Sequence, residues 1–149
     1  MKMIDLPPLW LALFVALAWA QMRMLPAGLS LAGPVAHLLA GLLIGAGVLL
    51  MALALVEFGR HRTTVIPHNT PTTIIQTGVF SRTRNPIYLG DALVLAGAVL
   101  WLDAVLSLVL IPIFVWWIER RFIIPEEARM RQAFGPSFEA YARKVRRWV

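Results

Sequence analysis

Hydrophobic positions in this chain fall into long unbroken runs, and the polar positions collect between and after them. Residues 9–25 are apolar until Gln21 and Arg23, and residues 31–58 are apolar apart from His37 and Glu57. Two shorter runs, 87–102 and 104–118, meet across Trp101-Leu102-Asp103. Runs of this length predict helices that are apolar all round, the pattern of a membrane span. The 28 residues of 31–58 would extend about 42 Å, more than the roughly 30 Å hydrocarbon core, so this helix tilts or projects. The arms of the 87–118 hairpin are short, about 24 Å for the first, and require tilt or a thinned bilayer. Within the hairpin, Pro112 predicts a kink and Asp103 reads as an ordinary turn residue. Asp91 is an acid at a depth where it should face protein or water.

The first run has one competing reading. Ala18-Trp19-Ala20 resembles a signal-peptide cleavage site, but Lys2 is offset by Asp5, and Pro7-Pro8 follow. A retained helix with Arg23 snorkelling to the interface fits better.

The polar segments differ in kind. Residues 59–84 form a connection rich in Thr, Pro and Arg, with neither helical nor strand periodicity. Connections this long are uncommon in a compact protein unless they serve a function, and Pro67 and Pro71 favour an ordered wrap. Residues 119–149 alternate charge with Phe122, Phe134, Phe138, Tyr141 and Trp148. Pro125 predicts the start of a short helix, and Gly135-Pro136 separates it from another. Those apolar side chains let the tail lie on a membrane or pack against the 59–84 loop.

Composition narrows the class. A mean hydropathy of +0.72 over 149 residues is too apolar for an ordinary soluble domain and leaves no room for a separate one. With no cysteine, disulfides, thiolate metal sites and a cysteine nucleophile are excluded. The net charge of +6 does not point to nucleic acid, because the bases flank apolar runs. Twelve of the fourteen Lys and Arg lie in 59–84 and 119–149. The positive-inside rule therefore places both termini and the long loop on the cytoplasmic side. The predicted fold is an all-α membrane protein with four transmembrane helices, a cytoplasmic loop and short C-terminal helices. It forms one domain over 1–149, with N-terminal membrane helices in 1–58 and the chemistry in 59–149.

Asn-Pro at 85–86 predicts a helix start, with Asn85 as cap and Pro86 at the first helical position. The stretch Arg84-Asn85-Pro86-Ile87-Tyr88-Leu89-Gly90 resembles the Arg-His/Asn-Pro-x-Tyr-x-Gly signature of isoprenylcysteine carboxyl methyltransferases and phospholipid methyltransferases. A second block, Pro125-Glu126-Glu127-Ala128-Arg129-Met130 with Phe134-Gly135, Tyr141 and Val145-Arg146-Arg147-Trp148, is similar to the ending of the same families. These are integral-membrane enzymes that use S-adenosylmethionine.

The resemblance implies a bacterial inner-membrane methyltransferase acting at the cytoplasmic face. Its cofactor would arrive from the cytoplasm and its acceptor laterally from the bilayer. The implied catalytic residues are Arg84, Asn85 and Tyr88. The implied cofactor contacts are Asn85, Pro86, Tyr88, Gly90, Glu126 and Glu127, with Gly45 and Gly47 from a Gly-x-Gly element. Each has a plainer reading as well. Glu126 and Glu127 suit a helix N-terminus and lie three and four residues before Arg129 and Arg131. Tyr88 suits an interfacial belt, Arg84 suits topology, and the glycines suit close helix packing. His68 is one of the loop's two histidines, with His61. Asn85 stands where isoprenylcysteine enzymes carry His, as it does in phospholipid methyltransferases. The acceptor stays open between an isoprenyl-type carboxylate, a phospholipid amine and a small apolar thiol. A non-catalytic scaffold or lipid-binding module with the same fold is the rival. A transporter is disfavoured because the polar residues cluster on one face.

Overall fold

The computed structural model describes residues 6–25, 28–63 and 71–149. All regular structure among them is helical: α1 (Pro7–Met24), α2 (Pro34–Arg60), α3 (Pro86–Trp101), α4 (Leu110–Ile118), α5 (Ile124–Phe134) and α6 (Pro136–Lys144). Short 3-10 turns occupy Gly78–Ser81 and Val105–Val109. Pro begins α1, α2, α3 and α6, where a missing N–H costs nothing.

Among the described residues one helix, α2, is long and apolar enough to cross a membrane by length and composition. Most of it is uncovered by protein, and Leu38, Leu42, Leu49 and Leu53 project outward. The other three expected spans are shorter. α1 has 18 residues and α3 has 16. The second hairpin arm is a 3-10 turn followed by the 9 residues of α4. Pro112 falls in the first turn of α4 behind that 3-10 turn, so the expected mid-arm kink becomes a change of helix type at its start.

α2 and α3 pack antiparallel through small residues. A Cβ on Gly47 would lie 2.6 Å from the Gly90 carbonyl oxygen, and one on Gly97 would lie 2.7 Å from that of Ala40. Only glycine lets the backbones come this near. The buried core then forms on the other side of α3. Leu95 and Val99 meet Phe14 and Ala18 of α1 and Phe114 and Ile118 of α4.

At the end remote from the arginine-rich segments, Asp103 does more than turn the chain. Its carboxylate accepts from Ser30 Oγ (2.6 Å) and from the Leu31 backbone N–H (2.7 Å), tying the α1–α2 connection to the α3–α4 connection. These two bonds hold its carboxyl below the usual range.

At the arginine-rich end, α4 does not stop where the tail was expected to begin. It runs through a wide π turn, Glu119–Ile123, straight into α5. Pro125 therefore sits inside a continuous helical run instead of opening a separate helix. α6 folds back beside it, and Phe138, Tyr141 and Val145 pack with Ile74, Met130 and Phe134. The tail thus packs against part of the loop, one of the two arrangements its apolar residues allow.

Candidate active site

The loop, the start of α3 and the tail converge at one end of the helices. The convergence begins at Glu57 in the last turn of α2. Its buried carboxylate accepts from Thr77 Oγ1 at 2.6 Å and pairs with Arg60 at 3.1 Å. This anchors the loop where Gly78 turns with φ +55°, and a Cβ there would meet Glu57 Oε1 at 2.6 Å. The following 3-10 turn places Phe80, whose carbonyl accepts from the Tyr141 hydroxyl of α6 at 2.7 Å. Burial raises the pKa of that hydroxyl and keeps it a donor.

Residues 83–85 are then stitched to the tail. Arg84 N–H donates to the Arg146 carbonyl (3.0 Å), and both Thr83 Oγ1 (3.3 Å) and Asn85 Nδ2 (2.9 Å) donate to the Arg147 carbonyl. Asn85 occupies the N-cap position of α3, yet its side chain makes no capping hydrogen bond. The predicted cap is replaced by a crosslink, because a carbonyl from the tail lies within reach of its amide.

One turn into α3, the Tyr88 hydroxyl donates to Glu126 Oε1 at 2.8 Å. Tyr88 is buried against Phe122 and does not sit in an interfacial belt. Burial raises the Glu126 pKa, against the opposing effects of the Tyr88 bond and the Arg129 charge. Its neighbour behaves oppositely. Burial works against the Glu127 charge, but the Arg147 hydrogen bonds and the charges of Arg84, Arg147 and Arg131 outweigh it and hold its pKa low. Arg147 grips Glu127 with both arms of its fork, Nε to Oε1 at 2.9 Å and Nη2 to Oε2 at 2.8 Å. Two adjacent acids on one helix thus have different environments.

Two cavities meet at this point. One, of about 130 Å³, lies between the loop and the tail and is bounded by Thr73, Arg129, Met130 and Tyr141. The other, of about 440 Å³, is almost wholly apolar and is walled by Leu6, Pro7, Met51, Leu55, Ile87 and Tyr88. Phe58, Phe80, Arg84, Asn85 and Glu126 border both. Arg84 lines both cavities, and its Nε and Nη1 atoms, buried behind that wall, have no hydrogen-bond partner among the described residues. Buried guanidinium donors left unpaired are costly, and they mark where an anionic group would be welcome.

The structure therefore brings together Arg84, Asn85, Pro86, Tyr88, Glu126 and Glu127. It separates three other candidates. Gly47 and Gly90 face each other across the α2–α3 crossing, and Gly45 is exposed with nothing within 4 Å of a Cβ built on it. None of these glycines borders either cavity, so packing accounts for Gly47 and Gly90. Asp91 is buried in α3, as its depth required, with Oδ2 unpartnered. His68 lies outside the described residues. Sequence reasoning missed Phe58, Phe80 and Arg129 as cavity walls and Arg147 as the partner of Glu127. No spacing rule links Arg147 to a residue 20 positions away.

A family model described as phospholipid methyltransferase matches residues 35–137. This is more than half of the chain, and it includes α2, α3, the loop and both glutamates. The chain belongs to the phospholipid methyltransferase family. No curated protein and no solved structure matches it. Membership in the family implies methyl transfer to lipid-like acceptors, which accords with an apolar cavity ending at polar side chains. The match ends before Phe138, Tyr141 and Arg147, so the tail's part in this site is read from the structure alone.

Proposed function

We propose that this protein transfers a methyl group from S-adenosylmethionine to a lipophilic acceptor at the cytoplasmic surface of a membrane that it spans four times. The observation that carries the reading is the shared wall. An arginine with spare donors and a half-buried glutamate stand together between a cavity of mixed polarity and an almost wholly apolar one. The residues suit the cofactor's amino-acid end. Arg84 carries unpaired charged donors, Nε and Nη1, that suit a carboxylate. Glu126 offers a carboxylate to an ammonium, and Tyr88 fixes its orientation by holding one oxygen. Bound there, the cofactor supplies an electrophilic methyl group activated by a sulfonium.

The chain's own contribution is positional. Transfer needs the acceptor within about 3–3.5 Å and in line, with water excluded. The apolar walls from Leu6, Met51, Leu55 and Ile87 suit an acceptor carried on a hydrocarbon chain. Phe58 and Phe80 border both cavities. Carboxylate, amine and thiol acceptors all satisfy these walls. Asn85 in place of His favours the amine of a phospholipid over an isoprenyl-type carboxylate.

Binding of radiolabelled S-adenosylmethionine to the purified protein in detergent tests the reading, and pH makes the test specific. An ammonium favours ionised Glu126, so affinity should hold above the raised Glu126 pKa and fall as pH drops through it. Because burial raises that pKa, the fall should begin at a higher pH than an ordinary glutamate would give. Glu126→Gln should bind about ten-fold more weakly or worse at neutral pH, as expected for losing one charged hydrogen bond, and should flatten this limb of the profile. Absence of binding by the unsubstituted protein would sink the enzyme reading in favour of a lipid-binding scaffold. Topology has its own measurement. Reporter fusions at Val149 and within 60–84 should read cytoplasmic and one at Asp103 periplasmic, and a periplasmic Val149 reporter contradicts the arrangement.

A further inference from the structure

Glu127 is buried, and an acid there must be neutralised by a cation held close to it. Three arginines surround it. Arg147 makes both short bonds, Arg84 Nη2 stands at 3.4 Å, and Arg131 Nη2 stands at 3.6 Å. The fork of Arg147 is itself braced. Its Nη1 donates to Glu119 Oε1 at 2.6 Å, and Trp148 Nε1 donates to the other Glu119 oxygen at 3.0 Å. Its carbonyl meanwhile receives Thr83 and Asn85. The same residue therefore fixes the backbone on either side of Arg84 and occupies the acid that Arg84 would otherwise take.

We infer that Arg147 is a positioning residue: by making both short bonds to Glu127 it limits Arg84 to the longer Nη2 contact and leaves Nε and Nη1 of Arg84 for an anionic ligand group at the wall between the cavities. The unpartnered Nε and Nη1 of Arg84 are the direct consequence. Take Arg147 away, and the nearest underused cation is Arg84, which closes the short gap to Glu127 and withdraws its donors from the cavity. This inference rests on the cofactor reading proposed above, and its test separates the two.

The first measurement is S-adenosylmethionine affinity in detergent. Arg147→Gln should raise Kd about ten-fold or more. The double variant Glu127→Gln/Arg147→Gln should recover most of that loss, because no charged acid remains to capture Arg84. A purely structural role predicts the reverse, with the double variant no tighter than the single one. That outcome, or normal binding by Arg147→Gln, overturns the inference. The second measurement needs no cofactor. A double-mutant cycle of Arg84→Gln and Glu127→Gln, read by thermal unfolding, should show in the native background the modest coupling of the 3.4 Å pair. In the Arg147→Gln background the coupling should be clearly larger, and equal coupling in both overturns the inference. If the unsubstituted protein does not bind the cofactor, the proposed function falls while this cycle still decides whether Arg147 holds Arg84 apart from Glu127.

Discussion

Arg84→Gln is expected to lower S-adenosylmethionine affinity by about two orders of magnitude or more and to leave the fold intact. Two donors are available, and a hydrogen bond involving a charged group contributes about 1.5–3 kcal/mol. The pair therefore contributes on the order of 3–6 kcal/mol before non-additivity, where 1.4 kcal/mol is ten-fold. The substitution also removes the 3.4 Å pair with Glu127, so stability should fall modestly and the fold should persist, because Arg147 keeps both short bonds to that acid. Arg84→Lys keeps the charge but loses the fixed donor directions of the guanidinium, so it should recover only part of the affinity. Equilibrium binding of labelled cofactor measures both. Native affinity in Arg84→Gln would show that those donors serve something else.

The second large effect lies in the membrane-facing half. Gly90→Leu should prevent recovery of folded protein, whereas Gly45→Leu should be accepted. At Gly90 a Cβ would stand 2.7 Å from the Gly47 carbonyl oxygen and 2.6 Å from Met51 Cγ. The methionine can yield but the carbonyl cannot, so α2 and α3 must separate along their length. Overpacking of an interior typically costs about 1–3 kcal/mol, and a forced backbone shift adds to that. Gly45 presents open space, and leucine there meets surroundings as apolar as itself. Size-exclusion profiles and thermal unfolding in detergent read the comparison. Should Gly45→Leu instead fold normally and lose cofactor affinity, the Gly-x-Gly element would be restored to the site.

These two variants also mark where the sequence was readable. Helix positions followed from hydrophobic runs because lipid and packed helices both accept unbroken apolar stretches, and α2 was nearly in register. Pro86 as a helix start was legible because proline restricts its own backbone. Tyr88 and Glu126, both singled out through a family resemblance, hydrogen-bond to each other across 38 positions that no local rule connects. The assignment of Glu127 was harder. Its i,i+4 neighbour Arg131 lies at 3.6 Å as the spacing suggested, but the short bonds go to Arg147. Which of several equivalent cations reaches a buried acid depends on how the tail folds back, and composition is blind to that. Asp103 was read as a turn for the same reason, since its partners Ser30 and Leu31 lie some seventy residues earlier.

The wide turn between α4 and α5 has a consequence for how the glutamates are told apart. Phe114, Ile118 and Phe122 are buried at intervals of four, and a regular α-helix would continue that stripe to Glu126. Instead Ile123 is buried beside Phe122, and the stripe resumes four residues later at Glu127. The Ile124 N–H reaches back five residues to the Glu119 carbonyl, so the turn holds one residue more than an α-turn does. That surplus residue sets the rotational phase of all that follows. Regularising the turn at constant length would rotate the pair by about 100°, carrying Glu126 in among the arginines and Glu127 away from them. Deleting one residue from 119–123 would close the turn as ordinary helix with both acids still in place. In this stretch, chain length rather than side-chain identity decides whether a glutamate meets Tyr88.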